Sequence, residues 1–336
     1  MKIHLKNLKF SLLLVLAFAN STFATETGDL ILNARVYLEG AVYNSFETGE
    51  THGRPLMRDD LRKSPFNNQR LIPNKDIYQT PYQVSDYITL DITDKYTHVA
   101  CGAYQQFQEI PNTYTVFAVQ GENAIIDWVF VELRDKNDRT NVIATRSGLL
   151  QRDGDIVDLD GISGLEFPGI DEDYYYIAIH HRNHLAAMTK YAVTPQEIAT
   201  LVDLSSYNVP MFDFGMIGSY DYSGMAMKSL MVGSTNVRAL WGGDADANGK
   251  IVYHGTKNDL TVIHEEVAGF DMAQNPMFKT DFNNAIGYLQ GDFDMNGKTK
   301  FDFPEDDKNL IFGQVLFYGL NSEYASNFAR LIEQMP

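Results

Sequence analysis

A single cysteine, Cys101, occurs in the 336 residues. No disulfide can form within the chain, so stability has to come from a packed core, from bound ions, or from both. No stretch approaches the ~20 uncharged apolar residues that a bilayer-crossing helix needs. Base is scarce too: 27 Lys and Arg face 44 Asp and Glu, a net charge of −17, and there is no basic stripe. Such a field repels phosphate backbones, which excludes nucleic acid as a partner and disfavours a direct grip on anionic membrane. Catalytic signatures are missing as well. The sequence has no G-x-S-x-G elbow, P-loop or G-x-G-x-x-G after a strand, and His264-Glu265 lacks the second histidine of a zinc-protease helix. Acid pairs such as Glu132 with Asp135, or Asp153 with Asp155, arise in so acidic a chain without any catalytic purpose.

What the chain does have is an acidic loop that occurs twice. Asp244-Ala245-Asp246-Ala247-Asn248-Gly249-Lys250 returns, 292 − 244 = 48 positions later, as Asp292-Phe293-Asp294-Met295-Asn296-Gly297-Lys298. Oxygen side chains at loop positions 1, 3 and 5, with glycine at position 6, let one tight turn aim several oxygens at a hard cation. Calcium is the natural guest. Position 12, where a carboxylate normally closes the shell, is Gly255 in one copy and Phe303 in the other, but both copies carry an aspartate at 244 + 15 = 259 and 292 + 15 = 307. A shared four-residue insertion thus moves the closing ligand to Asp259 and Asp307. An aspartate that starts a helix is also an N-cap, and the two roles are compatible. One calcium is expected on Asp244, Asp246, Asn248, the Lys250 carbonyl and Asp259, and a second on Asp292, Asp294, Asn296, the Lys298 carbonyl and Asp307.

Behind each loop an apolar stripe has helical spacing: Leu260, Ile263 and Val267, then Leu310, Ile311, Val315 and Leu316, with Gly269 and Gly319 as expected stops. Residues 244 to 336 hold 15 acidic against 7 basic side chains, a net of 15 − 7 = 8 negative charges. Crowded carboxylates repel one another unless a divalent ion neutralises them. The paired loops resemble EF-hand calcium loops and, more closely, dockerin modules, in which two such loops are each followed by one helix. The resemblance implies a small helical calcium module over residues 240–336 that docks to a partner or rigidifies the chain.

Residues 1–24 read as a secretory signal peptide: Lys2, Lys6 and Lys9 precede an apolar run from Ser11 to Ala19, and Thr22-Phe23-Ala24 offers small residues for cleavage. A secreted or cell-surface protein is expected. Residues 28–207 read as β structure, with strands at Leu30 to Leu38, Tyr87 to Ile92, Tyr114 to Val119, Ala124 to Leu133, Asn141 to Leu150, Tyr174 to His180 and Ile198 to Leu204. Short strands joined by polar turns predict an antiparallel β-sandwich. Phe167-Pro168-Gly169 before Tyr174-Tyr175-Tyr176 resembles the corner of immunoglobulin-like or fibronectin-like sandwiches, where a tyrosine hydroxyl ties the strand to the preceding loop. The proline-studded stretch from Asn44 to Gln83 is expected to wrap the sandwich, and Cys101 to be a buried small residue.

Residues 208–239 are expected to be a linker. Met211, Met216, Met225, Met227 and Met231 crowd this region, which reads as flexible gap-filling rather than a copper(I) site. His180, His181 and His184 read as a satisfied strand-end cluster rather than a zinc site; strand alternation puts His180 and His184 on one face and His181 on the other. Most of the chain further resembles the C-terminal region of secreted bacterial proteins of haemagglutinin-like type. The matching runs are Val36-Tyr37-Leu38-Glu39-Gly40, Asp59-Asp60-Leu61-Arg62, Ala124 through Asp135, Gln151-Arg152-Asp153-Gly154-Asp155 and His181-Arg182-Asn183-His184-Leu185. The resemblance implies surface adhesion. Together these features predict a mainly β, exported, non-catalytic calcium-binding adhesion or surface protein with a protein or glycan partner. A carbohydrate-active enzyme or a structural surface component with a dockerin-like attachment module stands as the alternative.

Overall fold

The computed structural model describes residues 28–43, 47–48, 54–64, 68–102, 108–195, 201–274, 285–302 and 306–336. The signal-peptide reading of 1–24, the loop position Phe303 and the start of the strand expected at Ile198 to Leu204 lie outside them.

The Val-, Ile- and Phe-rich run after Ala124 becomes the longest strand, Ile125–Asp135, paired antiparallel with Val142–Gln151. The first of these is buried along nearly its whole length, which marks a strand covered on both faces. Around this pair the sheet grows to seven strands. Their order is His184–Met188, Tyr175–His181, Ile125–Asp135, Val142–Gln151, Asp155–Val157, Ala34–Arg35 and Val202–Asp203. All neighbours are antiparallel except the last pair, which is parallel. The remaining described strands pair in twos, so the protein is mainly β around one large sheet. Among the described residues no helix is long and apolar enough to cross a membrane.

The proline-studded segment packs on the central strand. Ile72, Ile77 and Tyr78 are buried, Trp128 Nε1 donates to the Pro73 carbonyl at 3.0 Å, and Asp76 accepts the amides of Tyr78, Gln79 and Gln108. Tyr175 donates its hydroxyl to the Asp171 carbonyl at 2.9 Å, tying the strand to the loop before it. Cys101 is buried, and burial pushes its thiol up to about 11, so it is a core residue and not a nucleophile at neutral pH.

Several elements differ from their sequence reading. The strand expected at Tyr114 to Val119 is instead a short helix, Thr113–Val116, because the Asn112 side chain accepts the Thr115 amide and caps it; a cap outweighs β propensity over so few residues. The run from Leu30 breaks into Leu30–Leu32, which pairs with Leu165–Phe167, then Ala34–Arg35 in the large sheet, then a helix at Glu39–Tyr43. The stretch 208–239 is folded, with hairpins Met216–Ile217/Tyr220–Asp221 and Lys228–Val232/Thr235–Ala239, the second burying Leu230, Val232, Val237 and Ala239. Its methionines divide: Met211 and Met227 are core residues, while Met216 and Met231 are exposed.

Helices follow both acidic loops, at Leu260–Gln274 and Asp307–Phe317, and bury Ile263, Val267, Ile311 and Val315. Gly269 does not end the first of them. It lies inside the helix, where a Cβ would come within 2.9 Å of Ile88 Cγ1, so this glycine serves close packing and not a C-cap. The two helices share one buried cluster with Leu185 of the large sheet and Trp241, so the loops are built against the end of that sheet.

Candidate metal centres

The two loops share their left-handed turn positions and the hydrogen bonds to their first and last aspartates. Position 4 has positive φ in both, at Ala247 (49°) and Met295 (60°), as does position 6, at Gly249 (77°) and Gly297 (83°). Left-handed backbone at two non-glycine residues is costly, and its recurrence 48 residues apart marks a shared demand on the turn. The demand comes from position 1. Asp244 accepts the amides of Asn248 and Gly249 at 3.0 Å each, and Asp292 those of Asn296 and Gly297 at 2.9 Å each.

The inserted aspartate closes both turns alike. Asp259 accepts the amides of Ala245 and Val252, both at 2.7 Å; Asp307 accepts those of Phe293 and Lys300 at 2.8 and 2.9 Å. The N-cap of the second helix is the preceding residue, Asp306, which accepts the Asn309 amide at 2.6 Å and leaves Asp307 free for the loop. The structure thus brings together Asp244, Asp246 and Asp259, and separately Asp292, Asp294 and Asp307, each triad offering carboxylate oxygens within 4.8 Å of one another. Oxygens that share a calcium at ~2.3–2.6 Å lie no more than ~5 Å apart, so each triad can meet on one ion. Asn296 lies in the loop, its Oδ1 accepting the Lys298 amide and its Nδ2 donating to Asp294, while Asn248 contributes its amide to Asp244.

These carboxylates strain against one another. Burial, then the neighbouring Asp259 and Glu333, holds Asp244 well above the usual carboxylate range; burial with Asp294 does the same to Asp292, and burial with Asp294 and Asp292 to Asp307. Burial, with Asp246 adding repulsion, pushes Asp259 up to about 8. Asp246 Oδ1 is buried without a hydrogen-bond partner among the described residues. A divalent cation between the three carboxylates would relieve all of this together.

A second layer fixes the entry to each loop. Glu266 accepts the Gln290 and Gly291 amides at 2.8 and 2.9 Å and the Thr299 hydroxyl at 2.7 Å. Gln314, 266 + 48, donates at 2.7 Å to Glu39, which accepts the Gly242 amide, 290 − 48, at 3.2 Å. Asn183 joins the two loops: its carbonyl accepts the Gly243 amide at 2.9 Å while its Nδ2 donates to the carbonyls of Gln290 and Asp292, both at 2.8 Å. Sequence reading missed Arg58, which pairs with Asp294 at 3.1 Å, as well as Glu333, Glu266 and Glu39. These partners lie from 24 to 236 positions along the chain from the loop and entry residues they meet, so they leave no local pattern to find.

The histidines differ from their expected arrangement. Tyr175–His181 turns back through Arg182 and Asn183 and returns at His184, so His181 faces His184, and His180 lies on the other side, 3.2 Å from Glu132. Strand alternation does not carry through a hairpin turn. The His181 and His184 Nδ1 atoms are 3.0 Å apart, and His184 Nδ1 also meets Asn183 Oδ1 at 2.8 Å. His184 therefore donates from Nδ1 and His181 accepts there, which leaves the His181 Nε2 proton for Asp127 at 3.1 Å. Arg182 and the Tyr288 hydroxyl also bind Asp127. Burial alone would raise Asp127, but Arg182, His181 and Tyr288 outweigh it and hold the carboxyl below its usual value. Asp127, His181 and His184 are all buried, and Tyr288 belongs to the approach to the second loop, so this chain of groups pins the loops to the sheet.

No family model, curated protein or solved structure matches this chain. Function is therefore carried by the geometry of the loops themselves.

Proposed function

We propose that this is an exported, non-catalytic calcium-binding protein of the cell surface or its surroundings, with one ion in each acidic loop. The ligands are Asp244, Asp246, Asn248, the Lys250 carbonyl and Asp259 in the first, and Asp292, Asp294, Asn296, the Lys298 carbonyl and Asp307 in the second. The observation that supports it best is that, in both loops, the first and last aspartates accept the same pairs of amides around converging, mutually repelling carboxylates. A solvated Asp-rich turn needs no such convergence. Sites of this kind outside the cell bind calcium on the order of 10⁻⁴ to 10⁻³ M, which suits an exported protein.

In this reading the loops and their helices form a dockerin-like pair, and the large sheet belongs to an immunoglobulin- or fibronectin-like sandwich of haemagglutinin-like type that presents a recognition surface to a protein or glycan. Calcium makes the region of the loops rigid and lets it dock. Calorimetry on EDTA-stripped protein tests the proposal: two ions per chain at millimolar calcium are expected, and a stoichiometry of zero would remove the calcium assignment altogether.

A further inference from the structure

Each acidic loop carries an asparagine followed by glycine, Asn248-Gly249 and Asn296-Gly297, and these are the chain's only Asn-Gly pairs. Such a pair is chemically weak. Glycine has no side chain to hinder attack and can adopt backbone angles that other residues avoid, so its nitrogen reaches the Cγ of the preceding asparagine with little strain. That nitrogen attacks the carboxamide carbon. A C–N bond forms to Cγ, the glycine N–H proton and the side-chain NH₂ leave together as ammonia, and a succinimide ring results. Water then opens the ring at one of its two carbonyls, giving aspartate or, with the backbone rerouted through the side chain, isoaspartate. No oxidant, reductant or enzyme is needed.

The two loops present this bond unequally. Asn296 is 8% exposed and held at both ends of its amide, Oδ1 accepting from Lys298 and Nδ2 donating to Asp294. Asn248 is exposed, and among the described residues no partner takes its side-chain amide. What guards it is a bond of the attacking nitrogen itself: Gly249 N donates to Asp244 Oδ2 at 3.0 Å. That guard lasts only while the turn stays closed. Asp244, Asp246 and Asp259 converge there with oxygens within 4.8 Å of one another, and Asp246 Oδ1 is buried without a hydrogen-bond partner among the described residues. A divalent cation holds such a cluster shut, and repulsion opens it when the cation leaves. In the second loop the protein supplies positive charge of its own, from Arg58 at 3.1 Å from Asp294.

We infer that Asn248 is a deamidation site guarded by calcium: the loaded first loop keeps the Gly249 nitrogen from the Asn248 side chain, and the loop without its ion converts. The guard rests on the calcium reading. Aspartate as product adds a carboxylate at loop position 5, whereas isoaspartate lengthens the backbone by one carbon inside the turn and spoils the convergence of the ligands. The first loop thereby records the time the protein spends without calcium. The test incubates the full chain at mildly alkaline pH in calcium and in EDTA, after its calcium stoichiometry has been measured, and follows both Asn-Gly pairs by peptide mass spectrometry. In EDTA, Asn248 is expected to convert about tenfold or more faster than it does in calcium, and faster than Asn296 by a similar factor. Asp244→Ala, which removes the acceptor of the Gly249 amide, is expected to convert Asn248 in calcium as fast as the wild type does in EDTA. Equal rates at Asn248 in EDTA and in the calcium-loaded chain, or conversion of Asn296 as fast as Asn248, overturn the inference. So does slower conversion in Asp244→Ala, which would make Asp244 a base for the attack and not its guard. A calcium stoichiometry of zero, seen before any incubation, overturns the calcium reading and the guard with it.

Discussion

Asp306 and Asp307 are adjacent carboxylates with separate tasks, one capping a helix and the other closing a loop. Their removal is expected to separate the two effects. Asp306→Ala loses a cap worth about 1 kcal/mol of stability with calcium affinity unchanged, whereas Asp307→Ala weakens calcium at its own loop by about tenfold or more. Calorimetry and thermal melting on both variants check this, and equal calcium affinity in Asp307→Ala and wild type would leave Asp307 a purely structural residue. The Glu132–His180 pair gives a pH dependence. Burial raises the Glu132 carboxyl, but His180 and Arg134 outweigh burial and hold it at about 2, below the ordinary 4.5. Its contribution to stability is thus present above pH ~4.5 and is lost as the pH falls towards 2. Burial lowers His180, but Glu132 outweighs burial and raises it above its ordinary value, so its contribution is present below pH ~6.5 and is lost as the pH rises beyond that. In Glu132→Gln the His180 ring is expected to titrate at lower pH by NMR; an unchanged titration would show that the pair does not interact.

At the scale of elements, the two loops share the turn over their first six positions and have unequal surroundings. Glu333 adds a carboxylate near Asp244, while Arg58 occupies an oxygen of Asp294. More unneutralised carboxylate means tighter calcium, so the first loop is expected to bind more strongly than the second. Titrations of Asp244→Ala and Asp292→Ala, each leaving one loop intact, measure the difference, and equal or reversed affinities count against the charge argument. The helix Glu39–Tyr43 meets the second loop so closely that a Cβ on Gly40 would lie 2.2 Å from the Phe293 carbonyl oxygen. Gly40→Ala is expected to cost about 1–3 kcal/mol and to weaken the second calcium site, leaving the first nearly unchanged. Thermal melts and calcium titration of that variant decide the point. None of this asymmetry is legible in the repeat, because both loops spell nearly the same pattern.

For the whole molecule, the buried cluster shared by Leu185, Trp241 and the loop helices, with the bonds of Arg182 and Asn183 to residues 289–292, makes the sheet's edge and the loops one packed unit. Calcium at a hundredfold excess over Kd adds about 2.7 kcal/mol per site. Chelation is therefore expected to open residues 240–336 together with the edge strand His184–Met188, while the central pair Ile125–Asp135 and Val142–Gln151 keeps its amide protection. Hydrogen exchange in calcium and in EDTA measures this, and loss of protection confined to the loops would show that the edge strand stands without them. The acidic repeat and its displaced aspartate were readable in the sequence because every element of each loop lies within 16 consecutive positions, where spacing alone sets which oxygens converge. The β-rich character of the first two hundred residues was readable for a similar reason, since strand composition and turn residues are local signals. Only the tertiary structure decided that Asn183 ties both loops together, that Arg58 meets Asp294, and that His181 and not His180 faces His184. Each joins residues distant along the chain or across a turn, and packing, which no local periodicity records, selects them.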